Sequence, residues 1–292
     1  MPKVEPFPVT VHPFPSPTKR NCAYELGNTS AKNAVVFIGG LTDGPHTVPY
    51  IWTVAKHLEN SNSLDYSVFE IRMRSSFLGF GTSSLANDVE DISALVKYLR
   101  TRGKERIVLF GHSTGCQDCM EYTNYPKHHA EPVDGFVLQA PVSDREGLDD
   151  MAPNWRESLQ VANQMIAEGK SDWCMPKDLV PSMIEGPASA YRLWSLVAKD
   201  GDDDYFSSDL EDDKVKRYWG RFHKPVLVLH SGKDEFVPKS IDQEALNKRY
   251  RDANPMVSSL SGLIPNTGHT VEEDEARGWL AVRVGKFLET LQ

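Results

Sequence analysis

Apolar residues recur along the chain with two different periods, and the two periods alternate. Short continuous apolar runs, such as residues 34–38 before Gly39 and Gly40, are typical of strands buried on both faces of a parallel sheet. Residues 83–102 instead carry their apolar side chains on one stripe at helical spacing. These patterns predict strands at residues 9–14, 22–26, 34–38, 66–73, 106–110, 135–140, 225–230 and 257–264, and helices at residues 48–58, 83–102, 239–249 and 272–291, with a further helix directly after Ser113.

The order of these elements predicts the fold class. Strands that alternate with helices form a mostly parallel sheet with helices on both faces, so we expect an α/β fold in a single domain over residues 1–292. The first two strands are an exception, because Pro13, Pro15 and Pro17 lie around them. Proline lacks the N–H group that a central strand needs, and these strands are therefore predicted to form a hairpin at the sheet edge.

One long segment departs from this alternation. The chain between residues 140 and 225 carries four tryptophans and an acidic stretch at residues 200–213. A structureless connection of about 80 residues is uncommon in a compact domain. We therefore predict a helical cap, inserted at about residues 145–220, over the edge where the strands of the sheet end.

Two features of this cap have open roles. Trp155, Trp173 and Trp194 are candidate substrate contacts, and ordinary packing explains them equally well. The acidic stretch at residues 200–213 lacks the central glycine and the regular alternation of a calcium loop. A solvated surface turn is the favoured interpretation, and no metal site is predicted.

Composition limits the partners and the location of the chain. Its formal net charge is −9, and such a surface repels the phosphates of nucleic acids and anionic membranes. No apolar run is long enough for a membrane span, and the first residues lack the apolar core of a signal peptide, which predicts a cytoplasmic protein. The 4 cysteines are too few for a disulfide framework, and Cys116 and Cys119 are interpreted as buried thiols.

One short motif carries reactive chemistry. After the apolar strand at residues 106–110, the run from Gly111 to Gly115 reads Gly-His-Ser-Thr-Gly. Between a strand and a helix this pattern forms a tight turn that lifts the serine hydroxyl above the sheet. The helix that starts there points its amino end at developing negative charge. The sequence thus predicts Ser113 as a catalytic nucleophile.

Two further residues complete the chemistry that a serine nucleophile requires. A serine hydroxyl is weakly nucleophilic and needs a base, which an acid in turn orients. With this motif, the acid and then the histidine follow the serine along the chain. Asp234 comes just past the strand at residues 225–230, and His269 follows the strand at residues 257–264. We predict that Asp234 is the acid and that His269 is the base.

Other side chains compete for these roles. Asp144 and Glu146 follow the strand before the cap, where some hydrolases carry the acid, and Glu235 is adjacent to Asp234. Asp234 is favoured because it lies in the loop just past a strand end. His112 lies inside the turn and is expected to pack against the fold rather than act as the base.

The tetrahedral intermediate of ester cleavage also needs preorganised donors, usually two backbone N–H groups. Thr114, which follows the nucleophile, is predicted to supply one. Leu41 is predicted to supply the other, from a loop in which Gly40 lets the backbone approach the substrate closely. His46, in the same loop, is a candidate substrate contact together with Gly40.

Taken together, these motifs resemble the α/β-hydrolase superfamily and span nearly the whole chain. More narrowly, three segments resemble a fungal and plant family of compact hydrolases that includes the fungal siderophore esterases. They are Gly-Gly-Leu-Thr-Asp-Gly at residues 39–44, Ser-Asp-Arg-Glu at residues 143–146 and Asp-Asp-Tyr-Phe-Ser-Ser-Asp-Leu at residues 203–210. The sequence departs from many relatives at Gly39, where they carry histidine, and this leaves the second oxyanion donor less defined than the other site residues.

The resemblance implies an α/β-hydrolase fold and a serine esterase that works through an acyl-enzyme. It also implies a small-molecule ester as substrate, a fusarinine-type hydroxamate siderophore cleaved inside the cell. Iron would arrive with that substrate, and no cofactor is expected. Other acyl substrates (a small carboxylester, a lipid or a thioester) are alternatives, and so is a non-catalytic ligand receptor, since one fold serves many functions. The oligomeric state stays open.

Overall fold

A sheet of eight strands forms the centre of the structure, a computed structural model that describes residues 6–148, 152 and 154–292. Within these residues the spatial order of the strands is β1-β2-β4-β3-β5-β6-β7-β8. The pairs from β4 to β8 are parallel, which confirms the predicted mostly parallel α/β sheet. The strands are β1 (Thr10–Pro13), β2 (Cys22–Leu26), β3 (Asn33–Ile38), β4 (Tyr66–Arg72), β5 (Ile107–His112), β6 (Gly135–Gln139), β7 (Val226–Ser231) and β8 (Gly262–Ile264).

The hairpin predicted from the early prolines lies at one edge of this sheet. Strand β1 pairs antiparallel with β2, and β2 pairs antiparallel with β4. Pro13 is the last residue of β1, the outermost strand, where a missing N–H group leaves no sheet partner unsatisfied.

Helices cover both faces of the sheet, and alternate residues of β3 contact different faces. Ala34, Val36 and Ile38 belong to a core with helices α2 and α3, whereas Val35 and Phe37 belong to a core with α1 and α9. This two-sided burial explains why the strand is a continuous apolar run. The helices are α1 (Tyr50–Glu59), α2 (Leu85–Thr101), α3 (Gly115–Tyr122), α4 (Tyr125–His128), α5 (Trp155–Ala167), α6 (Ala190–Val197), α7 (Asp212–Trp219), α8 (Gln243–Ala253) and α9 (Asp274–Glu289).

Two predicted boundaries near the end of the chain are wrong. The helix expected at residues 239–249 begins at Gln243, because the Asp242 side chain accepts a hydrogen bond from the backbone N–H of Ala245 and so caps the helix there. The strand expected at residues 257–264 is reduced to β8, and Val257 makes only an isolated bridge to Val226.

The chain between β6 and β7, residues 140–225, is called here the β6–β7 insertion. It contains α5, α6 and α7, and its first two helices form an apolar core of their own with Phe80. Phe80 belongs to a short 3₁₀ helix, Phe77–Thr82, whose Gly81 carbonyl accepts the backbone N–H of Ser189 at 2.8 Å. Residues 149–151 and 153 of the predicted cap lie outside the described residues, and the cap remains a prediction.

The acidic stretch at residues 200–213 is only in part the solvated turn that the sequence favoured. Asp203 and Asp204 are buried, whereas the other six carboxylates are exposed and three of those are ion-paired. In the part of the chain that the structure describes, no group of three or more histidine, cysteine, aspartate or glutamate side chains could hold a metal ion. The pairs are Asp200 with Lys214, Asp203 with Arg192, Asp204 and Asp209 with Arg145, and Asp212 with Arg249.

None of the described helices is both long and apolar enough to cross a membrane.

Candidate active site

Ser113 lies on the tight turn that the sequence predicted, between β5 and α3. Its φ is 52°, in the left-handed region that a residue with a side chain rarely adopts. The crowding explains the flanking glycines, since a Cβ at Gly111 would lie 2.3 Å from the Gly115 carbonyl oxygen. A Cβ at Gly115 would lie 2.4 Å from the Ile38 carbonyl oxygen. Both positions therefore require glycine for β3, β5 and α3 to meet at this point.

The loop after β3 approaches the turn closely. A Cβ at Gly40 would lie 2.7 Å from the Cβ of Ser113. The loop is held by Asp43, whose carboxylate accepts the Gly40 N–H at 2.8 Å and the Thr47 hydroxyl at 2.7 Å. Sequence reasoning did not single out Asp43, although an aspartate three residues after a Gly-Gly pair is a common turn-forming signal.

Two backbone N–H groups near Ser113 remain free to bind an anion. Within the described residues, the amides of Leu41 and Thr114 donate no hydrogen bond, whereas the Gly40 amide is bound to Asp43. Buried amides without a partner are rare in folded proteins, and Thr114 is buried. Leu41 and Thr114 are the donors predicted from the sequence, and this role remains a prediction.

His269 and Asp234 form a buried hydrogen-bonded pair. The imidazole Nδ1 lies 2.8 Å from the Asp234 Oδ2, and the side chain of Asp234 is fully buried. The other carboxylate oxygen accepts the backbone N–H of Phe236 at 3.0 Å, while Glu235 accepts the backbone N–H of His269 at 2.9 Å. Neutral His269 would therefore carry its proton on Nδ1 and leave Nε2 as a base.

Gln139, the last residue of β6, connects the serine turn to the histidine loop. Its carbonyl oxygen accepts the Ser113 N–H at 3.0 Å, and its Nε2 donates to the His269 carbonyl oxygen at 3.2 Å. Its Oε1 accepts the Tyr50 hydroxyl at 3.0 Å. The sequence analysis missed this residue, although a glutamine at the end of the apolar strand at residues 135–140 was a usable signal.

His112 packs inside the fold, as expected. Its Nδ1 lies 2.5 Å from the Gln139 Oε1, and its ring centroid lies 5.0 Å from that of His269. Burial, together with the neighbouring His269, lowers the pKa of His112 to about 4. The ring is therefore neutral near pH 7 and adds no charge beside the other imidazole.

The structure does not join all three predicted residues by hydrogen bonds. Within the described residues, Asp234 is bonded to His269, but Ser113 Oγ makes no hydrogen bond with His269. Bonds of this kind are often long or poorly aligned in the absence of substrate and tighten when it binds.

The competing acids hydrogen-bond elsewhere. Asp144 accepts from the Gln117 Nε2 at 2.5 Å, and burial raises the pKa of Asp144 to about 8. Glu146 accepts the hydroxyl and the backbone N–H of Ser208 in the β6–β7 insertion.

His46, a candidate substrate contact from the sequence, is held by residues of the neighbouring strands. Its Nδ1 is 2.6 Å from the Glu70 Oε2, and its ring packs on Tyr24 with centroids 4.9 Å apart. Glu70 belongs to β4, two strands away from the β5 strand that precedes Ser113. As a substrate contact, His46 remains a prediction.

The three candidate tryptophans lie in different surroundings. The ring of Trp155 is 4.5 Å from the guanidinium of Arg156, and Trp194 neighbours Tyr191 on α6 with ring centroids 6.3 Å apart. Trp173 is 63% exposed. As substrate contacts, all three remain predictions.

Two cavities lie beside these residues. One, of about 950 Å³, is lined by Asp234, Phe236 and the start of the β6–β7 insertion at Gly147, but not by Ser113. Phe236, which lines this cavity, also contacts His269, and the two rings meet edge to face with centroids 4.7 Å apart. The other cavity, of about 10 Å³, lies behind the serine turn.

Comparison with known proteins reveals similarity along nearly the whole chain. A family described as protein of unknown function (DUF1749) matches residues 2–289. Fusarinine C esterase sidJ from Aspergillus fumigatus is 30% identical over 328 residues, which cover 92% of this chain and 92% of that protein. Esterase AN6793 from Emericella nidulans is 30% identical over 361 residues, which cover 100% of this chain and 95% of that protein. The solved structure of the siderophore hydrolase EstB from Aspergillus fumigatus matches with a TM-score of 0.81 at 28% identity, over 98% of this chain and 99% of that chain.

Proposed function

The chain belongs to the family described as protein of unknown function (DUF1749) and is an ester hydrolase of the α/β-hydrolase fold, and we propose that Ser113, His269 and Asp234 carry out its reaction. The observation that carries this proposal is the buried 2.8 Å contact between His269 and Asp234, which leaves Nε2 free at the sheet edge where Ser113 follows β5. A base oriented in this way is what a serine nucleophile requires.

The reaction follows from the protonation states of these groups. His269 Nε2 takes the proton of Ser113 as the hydroxyl attacks the ester carbonyl carbon. The same imidazolium then protonates the departing alcohol, which leaves an acyl-enzyme on Ser113. Water, deprotonated by His269, cleaves this second ester and releases the acid. Asp234 holds the imidazole tautomer and stabilises the imidazolium in both halves.

The free amides of Leu41 and Thr114 bind the oxygen that becomes negative in each tetrahedral intermediate. Their value lies in being oriented before the reaction, so that no solvent has to reorganise when charge develops. Asp43 supports this arrangement, because its carboxylate fixes the Gly40 amide and thereby the turn that presents the Leu41 N–H. The amino end of α3 adds a favourable dipole at the same place.

For the substrate, we propose a fusarinine-type hydroxamate siderophore ester. The names of two relatives support this, a fusarinine C esterase at 30% identity and a siderophore hydrolase at 28% identity. The cavity of about 950 Å³ beside Asp234 has the size of pockets that hold large ligands. Ferric iron would belong to the substrate and leave with the cleaved products.

Substitution of the nucleophile tests the mechanism. Ser113→Ala should lower kcat on p-nitrophenyl acetate by roughly 10⁶-fold, with an unchanged circular dichroism spectrum. A folded variant that hydrolyses this ester at the wild-type rate would refute the role of Ser113.

A substrate panel tests the specificity. The wild-type enzyme should cleave ferric and iron-free fusarinine-type esters with a higher kcat/KM than short and long p-nitrophenyl esters or acyl thioesters. Turnover of acyl chains without turnover of either siderophore form would reject the siderophore substrate and leave the esterase mechanism intact.

A further inference from the structure

A cluster of buried charged residues lies beside the first turn of α3, and three of its members line the small cavity that Gly40 and Thr114 also line. This region is called here the back of Ser113, and the Asp234–His269 pair is called the front. Each member is at least nine-tenths buried, which is unusual for ionisable side chains. The members come from remote parts of the chain. They are Asp88 on α2, Asp118 on α3, Asp144 after β6, and Arg192 and Asp203 in the β6–β7 insertion.

Arg192 is the cation of this cluster and reaches it from the β6–β7 insertion. Both of its terminal nitrogens donate to the carboxylate of Asp203, and Ser195 donates its hydroxyl to the same carboxylate. The guanidinium also stacks on the ring of Phe80, 4.2 Å from its centroid. The Ser189 side chain accepts the backbone N–H of Arg192, which fixes the first turn of α6.

Arg192 and residues around the serine turn line one small cavity. Arg192, Asp88 and Asp118 line it together with Gly40 and Thr114. Its volume of about 10 Å³ is the space that one water molecule needs. The Asp118 Oδ1 is buried and has no hydrogen-bond partner within the described residues. The guanidinium and the predicted oxyanion donor at Thr114 thus border the same enclosed polar space.

We propose that Arg192 is a positioning residue for ester hydrolysis, which holds the first turn of α3, and with it Ser113 and the Thr114 amide, from behind. The inference rests on the proposed function, because it concerns the alignment of the same nucleophile. Through Arg192, the β6–β7 insertion then helps to hold the nucleophile in place, in addition to any contact that the insertion makes with substrate.

The physical reason is that Arg192 supplies the positive charge that balances the buried Asp203 carboxylate. Without the guanidinium, the Asp203 carboxylate would be buried and unpaired, a strongly unfavourable state. The structure can relieve it by admitting water through the cavity or by withdrawing α6. Either change alters the space bordered by Thr114 and Asp118, at opposite ends of the first turn of α3. Small displacements of reacting groups can lower a rate by roughly 10²-fold.

A purely structural role for Arg192 makes a different prediction. In that case the loss of Arg192 lowers stability, while the folded fraction retains its full kcat. Arg145 provides a matched control, because it also pairs with carboxylates of the β6–β7 insertion, Asp204 and Asp209, but does not line the cavity.

The experiment compares Arg192→Met, Arg192→Lys and Arg145→Met with wild type on p-nitrophenyl acetate, a substrate too small to need the large cavity. For Arg192→Met we expect kcat to fall by about 10²-fold while KM stays within about twofold. Arg192→Lys keeps the charge and should recover kcat to within about tenfold of wild type. Arg145→Met should keep the wild-type kcat, even if its melting temperature falls.

Two results would overturn the proposal. One is a folded Arg192→Met enzyme with a wild-type kcat, and the other is an equal loss of kcat in Arg145→Met. If Arg192→Met does not fold, Ser195→Ala decides, since it removes one hydrogen bond from Asp203 and leaves the ion pair. It should lower kcat about threefold at constant KM, and an unchanged kcat would reject the proposal. Wild-type protein without esterase activity would instead refute the proposed function.

Discussion

The two sides of Ser113 carry charged residues in opposite ways. In front, one carboxylate meets one imidazole, and the second oxygen of the Asp234 carboxylate accepts the backbone N–H of Phe236. Behind, three further buried carboxyls surround the single pair of Arg192 and Asp203. Burial raises the pKa of Asp88 to about 7 and that of Asp144 to about 8, and it raises the pKa of Asp118 well above its usual range. In the proposed mechanism the front moves a proton during each turnover, whereas the buried carboxyls of the back hold their protons.

The largest effect should come from the front. Asp234→Asn keeps the size of the side chain but favours the wrong tautomer of His269, so kcat should fall by about 10⁴-fold. Steady-state kinetics on p-nitrophenyl acetate will measure this loss. Glu235→Gln is the matched control, because the amide oxygen can still accept the His269 N–H. A comparable loss in Glu235→Gln would show that the acid has been misassigned.

The next largest effect should come from the loop between the two sides. A methyl group at Gly40 would meet the Ser113 side chain at 2.7 Å and displace the loop that carries Leu41. Gly40→Ala should therefore lower kcat by about 10²–10³-fold, the loss expected for one oxyanion donor. Gly262→Ala is a suitable control, since no atom lies within 4 Å of a Cβ at that position. A Gly40→Ala enzyme with wild-type kcat would exclude a close-fitting oxyanion loop.

The back should dominate the pH dependence of stability. The native state holds protons on Asp88 and Asp144 that the unfolded chain releases above about pH 4, so stability should decline as pH rises toward their native pKa values. His112 and His230, whose pKa values are both lowered to about 4, act in the opposite direction, but only below about pH 6.5. The range from pH 6.5 to 8 therefore shows the effect of the aspartates without that of the two histidines.

Thermal unfolding across that window measures the effect. The melting temperature of the wild-type protein should fall between pH 6.5 and 8, because the native state must keep protons on Asp88 and Asp144 that the unfolded chain has already released. Asp144→Asn mimics the protonated form and should reduce the slope. An equal slope in the variant would contradict the assignment of these protons to the cluster.

The smallest effect should come from the hydrogen bonds of Gln139, which connects the serine turn to the histidine loop. Tyr50→Phe removes the hydroxyl that donates to Gln139 Oε1 at 3.0 Å but keeps the ring. We expect a loss of about 1 kcal/mol in the free energy of unfolding and less than a twofold change in kcat, since His112 still contacts the same oxygen. Chemical denaturation and steady-state kinetics would measure these quantities, and a tenfold loss of kcat would show that Gln139 needs both partners.

The same comparison explains what the sequence could predict. Ser113, Asp234 and His269 follow strands whose apolar runs are visible in the sequence, and each lies in a short segment with its own signal. Parallel strands then bring these ends to one edge of the sheet. The α/β fold and the mostly parallel sheet follow from the same local patterns and are confirmed.

No local pattern in the sequence predicted the charged cluster behind Ser113. Asp88, Asp118 and Arg192 lie on three helices far apart in the chain, and a charged residue on a helix is usually exposed. Asp203 belongs to a stretch so rich in carboxylates that a solvated turn was the reasonable interpretation. Only the packing of α6 on Phe80 brings these groups together. The contact between His46 and Glu70 had no sequence signal for the same reason, because Glu70 is remote in sequence and close in space.

Labelling with a fluorophosphonate probe tests the central claim most directly, because the probe reacts only with a serine that a neighbouring base activates. The account predicts that wild-type protein is labelled stoichiometrically, that peptide mapping finds the adduct on Ser113, and that Ser113→Ala is not labelled. Ser93→Ala, which removes a serine hydroxyl that accepts the backbone N–H of Glu131, should be labelled like wild type. Folded wild-type protein that stays unlabelled, or that carries the adduct on another serine, would contradict the account.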